Sequence, residues 1–366
     1  MSDRMTTSSG RRASGAWQRR RHDAGVLREL VEETPLIPVT EGVPGGNRLW
    51  LKLESEQPVR SFKIRGAAYA LTLRREQLAV RGVIADSGGN HSQALAYAGS
   101  RLGVPVRIIM AAVVPDAKKR ATLGFGAADG SFELDTSPED FTLAKQAARR
   151  AAEEQGRHYL SPYDDQDIIR GAGTLLPEVL DQLETEGAAA QSLHVPVGGG
   201  GLISGLAEAN RDAGAPLRVI GHEAVGADSA ARSLHTQEPV EVPGELNPWA
   251  EGLAVRILGR HPHHRLREGL VEDVRVHTMA ATGSAYRWYR RNVLSDDGEE
   301  AGPWYEAVWA ALPEVSSMVA VAGVLDWLER TGVQDAEHLV VITGGNTDPQ
   351  KAQTVLQMGD DAGRAD

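Results

Sequence analysis

Cysteine is absent from the chain. Disulfides, thiolate metal sites and a cysteine nucleophile are therefore excluded, and a reducing compartment such as the cytoplasm is the expected location. No apolar run reaches the roughly 18 residues that a membrane span needs, so no membrane partner is expected. Positive charge is in deficit, with 39 Lys and Arg against 50 Asp and Glu, a net charge of −11 and a pI near 5.5. A nucleic-acid-binding body needs a basic face, so that class is set aside. Lysine is scarcest of all, six residues against 33 arginines. The taste for Arg, Ala and Gly reflects coding composition, which makes each retained lysine a question. Lys63, inside SFKIRGA (61–67), is the sharpest one.

What is present is a chain of 366 residues, long enough for two α/β lobes with substantial cores. Residues 1–25, rich in Arg, Ser and Gly, lack an apolar stripe and read as a disordered arm. A transit peptide and an anion-binding tail are the alternatives. From Thr34 onward, β-rich runs alternate with Ala-rich helical stretches: RLWLKL (48–53), GVIAD (82–86), VRIIM (106–110), HYLSP (158–162), SLHVPV (192–197), LRVIGHE (217–223) and HLVVIT (338–343). Such alternation predicts crossover connections and parallel sheets covered by helices, so the fold class is α/β. GELNPWAEG (244–252) and SDDGEEAG (295–302) read as loops that could reach a cleft.

The strongest local signal is VPVGGGGLISGLAEA (195–209), a strand running through Gly198, Gly199, Gly200 and Gly201 into an amphipathic helix. Bare backbone N–H groups and the positive end of the helix dipole make an anion, above all a phosphate, the expected guest. A dinucleotide fingerprint fails, because its third glycine would fall on Ile203 or Ser204. A P-loop fails too, since no lysine lies between Lys145 and Lys351. The alternative is a tight turn without a ligand, at a heavy entropic cost. IADSGGNHSQALA (84–96) also leaves a strand for a helix and carries Ser87, Asn90 and His91, polar groups suited to a carboxylate or a phenolic oxygen. VVITGGNTD (340–348) ends a strand at Thr343, at the sheet edge where ligands of open α/β folds sit.

A lysine withdrawn from the surface is most useful as an amine that forms a Schiff base with a carbonyl cofactor. Pyridoxal 5'-phosphate supplies the aldehyde for Lys63, a phosphate for the tetraglycine loop, a 3-hydroxyl for Asn90 and a ring nitrogen for Thr343. Taken alone, Lys63 could equally be a surface residue at a helix start.

SFKIRGA (61–67), SGGNHSQ (87–93), SPYDD (161–165), PVGGGGLISG (196–205) and TGGNTD (343–348), in this order, resemble the threonine and serine dehydratases among the pyridoxal-phosphate enzymes of the tryptophan-synthase-β fold. The likeness runs from about Thr34 to Asp348. It implies fold type II: two parallel-sheet α/β domains with the cofactor in the cleft between them. The boundaries expected are a large domain of 26–81 plus 160–358, a small one of 82–159 and a tail of 359–366. It implies that Lys63 carries the cofactor and takes the substrate Cα proton, with Phe62 beside the cofactor ring. Asn90 would bond the 3-hydroxyl, Gly198 through Gly201 the phosphate and Thr343 the pyridine nitrogen. Ser87, Gly89 and His91 would border the carboxylate of a small amino-acid substrate. β-Elimination to a 2-oxo acid and ammonia follows, in a homodimer. Diaminopropionate or 3-hydroxyaspartate as substrate, and a non-catalytic cofactor-binding role, are the alternatives.

The sequence also departs from the family pattern. Similar serine racemases carry a serine where Gly88 stands, so racemisation is not expected. Val59-Arg60 replaces Thr-Gly, Ala172 replaces a glutamine, and Glu251 replaces an aspartate beside bulky Trp249. A family glutamate near the cofactor aligns with Glu299 or Glu300. No metal is expected: the cation site of some relatives would use Glu223, Ala227 and Ser229, where an acidic third ligand is missing. His261, His263 and His264 read as solvated residues of a polar loop. About 18 residues follow the last motif, so the regulatory domain of biosynthetic threonine dehydratases is expected to be absent.

Overall fold

The computed structural model describes residues 14–246, 248–294 and 312–362. Its strands, in chain order, are β1 (Leu36–Val39), β2 (Arg48–Leu53), β3 (Val83–Asp86), β4 (Val106–Ile109), β5 (Phe132–Asp135), β6 (His158–Tyr159), β7 (Ser192–Pro196), β8 (Arg218–Ala224), β9 (Asp273–His277) and β10 (Glu337–Ile342). They form a six-stranded sheet ordered β1-β2-β10-β7-β8-β9 and a four-stranded sheet ordered β5-β4-β3-β6. Every neighbouring pair is parallel except β1 with β2. The seven β-rich runs all contain strands, whereas β1, β5 and β9 were not anticipated. β1 is an antiparallel edge holding Pro38, which cannot donate to a ladder and so hides the strand in the text.

The strands of the smaller sheet all lie within residues 83–159. Its core also takes in Leu27, Leu30 and the Lys63–Leu73 helix, through Ile64, Ala67, Ala68 and Leu71. The Phe141–Gln155 helix covers this sheet with Ala144, Ala148 and Ala152, a stripe at four-residue spacing. Asp140 caps its first turn by accepting from Leu143 N at 2.8 Å, and Gly156 ends it in the left-handed region.

Residues 15–25 differ from the unstructured arm that was expected; residues 1–13 lie outside the described residues. Gly15–Gly25 is a helix capped by Ser14, whose Oγ accepts from Trp17 N at 3.1 Å. It docks by charge rather than by an apolar stripe. Arg20 donates to Asp212 Oδ2 at 2.8 Å and Glu208 Oε2 at 3.1 Å, while Asp23 accepts from Arg170 at 2.8 Å. His261, His263 and His264 also differ from expectation, because they lie on the Arg260–Arg267 helix and His263 is buried with Nε2 3.2 Å from Ser233 O.

One face of the larger sheet carries a buried chain of imidazoles. Ser192 Oγ lies 2.8 Å from both His338 Nδ1 and His194 Nε2. His194 Nδ1 lies 2.9 Å from His222 Nε2, and His222 Nδ1 lies 3.0 Å from His277 Nε2. The Val315–Thr331 helix covers it, with Trp327 5.7 Å from His194 and 5.3 Å from His338 between ring centroids. Burial holds His277 and His338 down at about 4 and drives His194 and His222 well below the ordinary value.

These rings stay neutral in the fold and gain protons only on unfolding. Their contribution is intact above the unfolded value near 6.5 and falls by roughly 1.4 kcal/mol per ring and pH unit below it, down to the folded values. Glu223, which burial pushes up to about 8, works in the opposite direction over the same window. Replacing His277 and His338 together by Gln should flatten the fall in Tm between pH 6.5 and 4. Parallel Tm profiles for variant and parent would contradict this origin of acid sensitivity.

Candidate active site

Lys63 opens the Lys63–Leu73 helix, and the chain before it is fastened to the end of β10. Phe62 N donates to Thr343 O at 3.0 Å, Ser61 forms a bridge with Gly344, and Gly345 N donates to Arg60 O at 2.9 Å. Arg60 holds φ at +54°, a conformation costing about 1–2 kcal/mol. Its guanidinium spans the same seam, with Nη2 2.9 Å from Gly345 O. Arg60 is thus a fastener between two site loops.

Held this way, the Lys63 ammonium is buried 5.0 Å from the centre of the Phe62 ring and donates to Pro162 O at 2.8 Å. Burial lowers its pKa to about 8, against an opposing pull from the carboxylate of Glu314. A drop from 10.5 to about 8 raises the neutral fraction at pH 7 by roughly 300-fold. That is the chemistry a nucleophilic amine requires.

Asn90 begins the Asn90–Leu102 helix, where its Nδ2 donates to Glu314 Oε1 at 2.7 Å and its Oδ1 accepts from Asn346 Nδ2 at 2.8 Å. One Nδ2 hydrogen remains available. Glu314 N donates in turn to Gly344 O at 2.8 Å, and Ser316 Oγ donates to Glu314 Oε2 at 3.1 Å. Burial raises the Glu314 carboxyl above the ordinary range. Glu299 and Glu300 lie outside the described residues. Glu314 was overlooked, although a Glu followed by Ser316 and Ser317 ahead of a long apolar helix is a recognisable helix start.

Thr343 stands at the carboxyl end of β10 with Oγ1 3.0 Å from Ser317 Oγ. Ser317 Oγ already accepts from Thr343 N at 3.0 Å and Gly344 N at 3.3 Å, so both its lone pairs are engaged. Its hydrogen is left for Thr343 Oγ1 or for Gly344 O at 3.5 Å, and in either case the Thr343 hydroxyl keeps its own hydrogen to donate. Ser317 is a second residue that sequence reasoning missed.

The tetraglycine turn closes the other side. Gly200 has φ +87° and hands over to the Gly201–Asp212 helix, whose first N–H groups have no intrahelical acceptor. At Gly199 a Cβ would lie 2.1 Å from the Tyr163 ring, so only glycine lets that ring pack on the turn. Tyr163 follows the Pro162 carbonyl that holds Lys63, which ties the amine to the turn. Ser87 Oγ accepts from Gly89 N at 3.3 Å. His91 is buried and neutral, its pKa lowered to about 3 by burial and by Lys63; Nε2 is 3.4 Å from Leu160 O and Nδ1 is buried without a partner. At Gly88 a Cβ would meet Val114 Cγ2 at 2.7 Å, so a serine there has no room.

Both Glu223 oxygens accept backbone N–H groups, from Ala230 and Ala231, at 2.8 Å. No cluster of three His, Asp or Glu side chains suited to a metal occurs among the described residues.

Residues 27–345 match the family described as "Pyridoxal-phosphate dependent enzyme". The chain belongs to this family. Its residues fit the cofactor: a low-pKa amine for the aldehyde, bare N–H groups for the phosphate, a spare Asn90 hydrogen for the 3-hydroxyl and the Thr343 hydroxyl for the ring nitrogen. Similar curated proteins include the L-threonine ammonia-lyase of Geobacter sulfurreducens, 32% identical over 342 residues, 91% of this chain and 76% of that one. The chloroplastic biosynthetic threonine dehydratase 1 of Solanum lycopersicum is 31% identical over 335 residues, 91% of this chain and 51% of that one. The chain thus spans about half the length of several curated relatives. Among solved structures, processed threonine deaminase isoform 2 from Solanum lycopersicum superposes with a TM-score of 0.80 at 27% identity, covering 95% of this chain and 89% of that one. The threonine deaminase from T.th. gives 0.75 at 28%, with coverage of 90% and 98%. These neighbours share the fold-type-II architecture seen here.

Cofactor incorporation into the apoprotein needs the neutral amine. Its rate should rise about tenfold per pH unit and level off near pH 8; a midpoint near 10.5 would contradict the environment described. Gly199→Ala should weaken cofactor binding by at least tenfold in equilibrium dialysis, because its Cβ displaces Tyr163.

Proposed function

We propose that the protein is a dehydratase, an ammonia-lyase, that removes the β-hydroxyl of threonine or serine and releases a 2-oxo acid and ammonia. The observation that carries this reading is a buried amine of lowered pKa facing a site whose far end is a neutral hydroxyl pair instead of a carboxylate. Pyridoxal phosphate, when bound, supplies an aldehyde that captures the substrate amine and a ring that accepts electrons from Cα. Lys63, once free, is the base that takes the Cα proton, and its lowered pKa lets it do so near neutral pH. Thr343 would donate to the ring nitrogen without protonating it, which would favour prompt loss of the β-substituent. Ser87, Gly89 and His91 border the substrate carboxylate, and neutral His91 adds no competing charge. Gly88 puts no serine at the position that carries one in similar serine racemases, which supports elimination over racemisation.

A second reading, elimination from a β-substituted amino acid bearing a further charge, is favoured by an ion triad beside the site. Lys118 and Lys351 hold the two oxygens of Glu251, while neighbouring Gly252 packs against Ser316 and the Gly198 turn. The remaining assignments belong to the same proposal: lobes of 26–81 plus 160–358 and of 82–159, a homodimer, and a cytoplasmic location. No helix among the described residues is long and apolar enough to cross a membrane.

The test is oxo-acid release from a panel of β-substituted amino acids, with Lys63→Ala beside the parent. Threonine or serine should turn over, and the variant should lose at least 1,000-fold in kcat. Full activity in Lys63→Ala would overturn the mechanism, and preference for diaminopropionate or 3-hydroxyaspartate would select the second reading.

A further inference from the structure

The helix that begins at the tetraglycine turn ends at a different cavity, of about 390 Å³. Five arginines line it: Arg19 and Arg20 from the N-terminal helix, Arg170, Arg211 and Arg265. Only two carboxylates, Glu208 and Asp212, share the wall. Both are already engaged, Glu208 by Arg20 at 3.1 Å and Arg265 at 2.6 Å, Asp212 by Arg20 at 2.8 Å and Arg211 at 3.5 Å, and Arg211 also lies 4.0 Å from Glu268. Arg170 spends its Nε on Asp23 at 2.8 Å.

The five guanidiniums thus meet four carboxylates, Glu208, Asp212, Asp23 and Glu268, which leaves one positive charge over. The Arg20 side chain is only 5% exposed, yet its Nη1 is buried with no hydrogen-bond partner. An orphaned guanidinium N–H costs about 1–3 kcal/mol or more, so this arrangement is incomplete as it stands. A volume near 390 Å³ falls in the range of small-molecule sites. Among the described residues its walls contain no aromatic ring to stack a base and little apolar surface, so the guest is compact and polar. Planar guanidinium forks match phosphate oxygens in pairs. The carbonyl end of the Gly201–Asp212 helix would repel an anion, but Ser14 Oγ already donates to Asp212 O at 2.9 Å.

We propose that this cavity is a binding site for a small multivalent phosphate anion of about pyrophosphate size, separate from the cofactor's phosphate site. It occupies the opposite end of the helix that carries the tetraglycine turn, so a bound anion would brace the N-terminal helix against the cofactor-holding element.

The test is calorimetric titration of the full-length, cofactor-loaded protein with inorganic pyrophosphate at near-physiological salt. The loaded cofactor keeps the tetraglycine turn occupied. Saturable one-site binding is expected, weakened at least tenfold in the Arg19→Gln/Arg211→Gln double variant, whose two positions are exposed and whose fold is checked by an unchanged Tm. Arg267→Gln, at an exposed arginine outside the cavity, should bind as the parent does. Absence of saturable binding, or equal binding by the double variant, would overturn the site. Equal affinity for citrate would overturn its assignment to phosphate.

Discussion

An amine without a salt bridge among the described residues, half-buried at the carboxyl edge of a parallel sheet, is the constraint around which this molecule is arranged. Water would hold Lys63 fully protonated, and a carboxylate at contact would raise its pKa further. The fold does neither, offering a carbonyl and a phenyl ring instead. Among the described residues the carboxylate that acts on it is Glu314, which is committed to Asn90, Ser316 and Asn346. Two groups with opposed pKa shifts thus share one site, a pattern that marks acid–base chemistry.

Four of the other five lysines are held by carboxylates. Lys52 is fully buried and lies 2.5 Å from Glu178 and 2.6 Å from Thr34 O. Lys118 and Lys351 are bound to Glu251, and Lys119 lies 3.2 Å from Asp116. These amines are occupied as charges. Lys63 keeps a free role because the Arg60–Gly345 and Phe62–Thr343 contacts pin its loop from both sides. The sheet supplies rigidity, and the strained Arg60 is tolerated where two loops must meet.

Much of this was readable from the text, because the informative features are local. A strand, a glycine run and a helix declare an anion site within 15 residues, and Asn90 and Thr343 each lie in such a unit, while Lys63 stands out by the scarcity of lysine. Features made by distant segments stayed hidden. The imidazole chain takes one or two positions from each of four strands between residues 192 and 338, and no window of sequence brings them together. Ser317 matters only through the lone pairs it shares with Thr343. The N-terminal helix was missed because apolar periodicity was the signal sought, whereas Arg20 and Asp23 dock it through ion pairs.

The central claim is that Lys63, of six lysines, is the residue that bonds the cofactor. Borohydride reduction of the loaded protein, followed by proteolysis and mass spectrometry, tests it most directly. The account predicts that the reduced cofactor is recovered on the peptide containing Lys63 and on no other. Recovery on a peptide carrying Lys52, Lys118 or Lys351, with Lys63 unmodified, would contradict it.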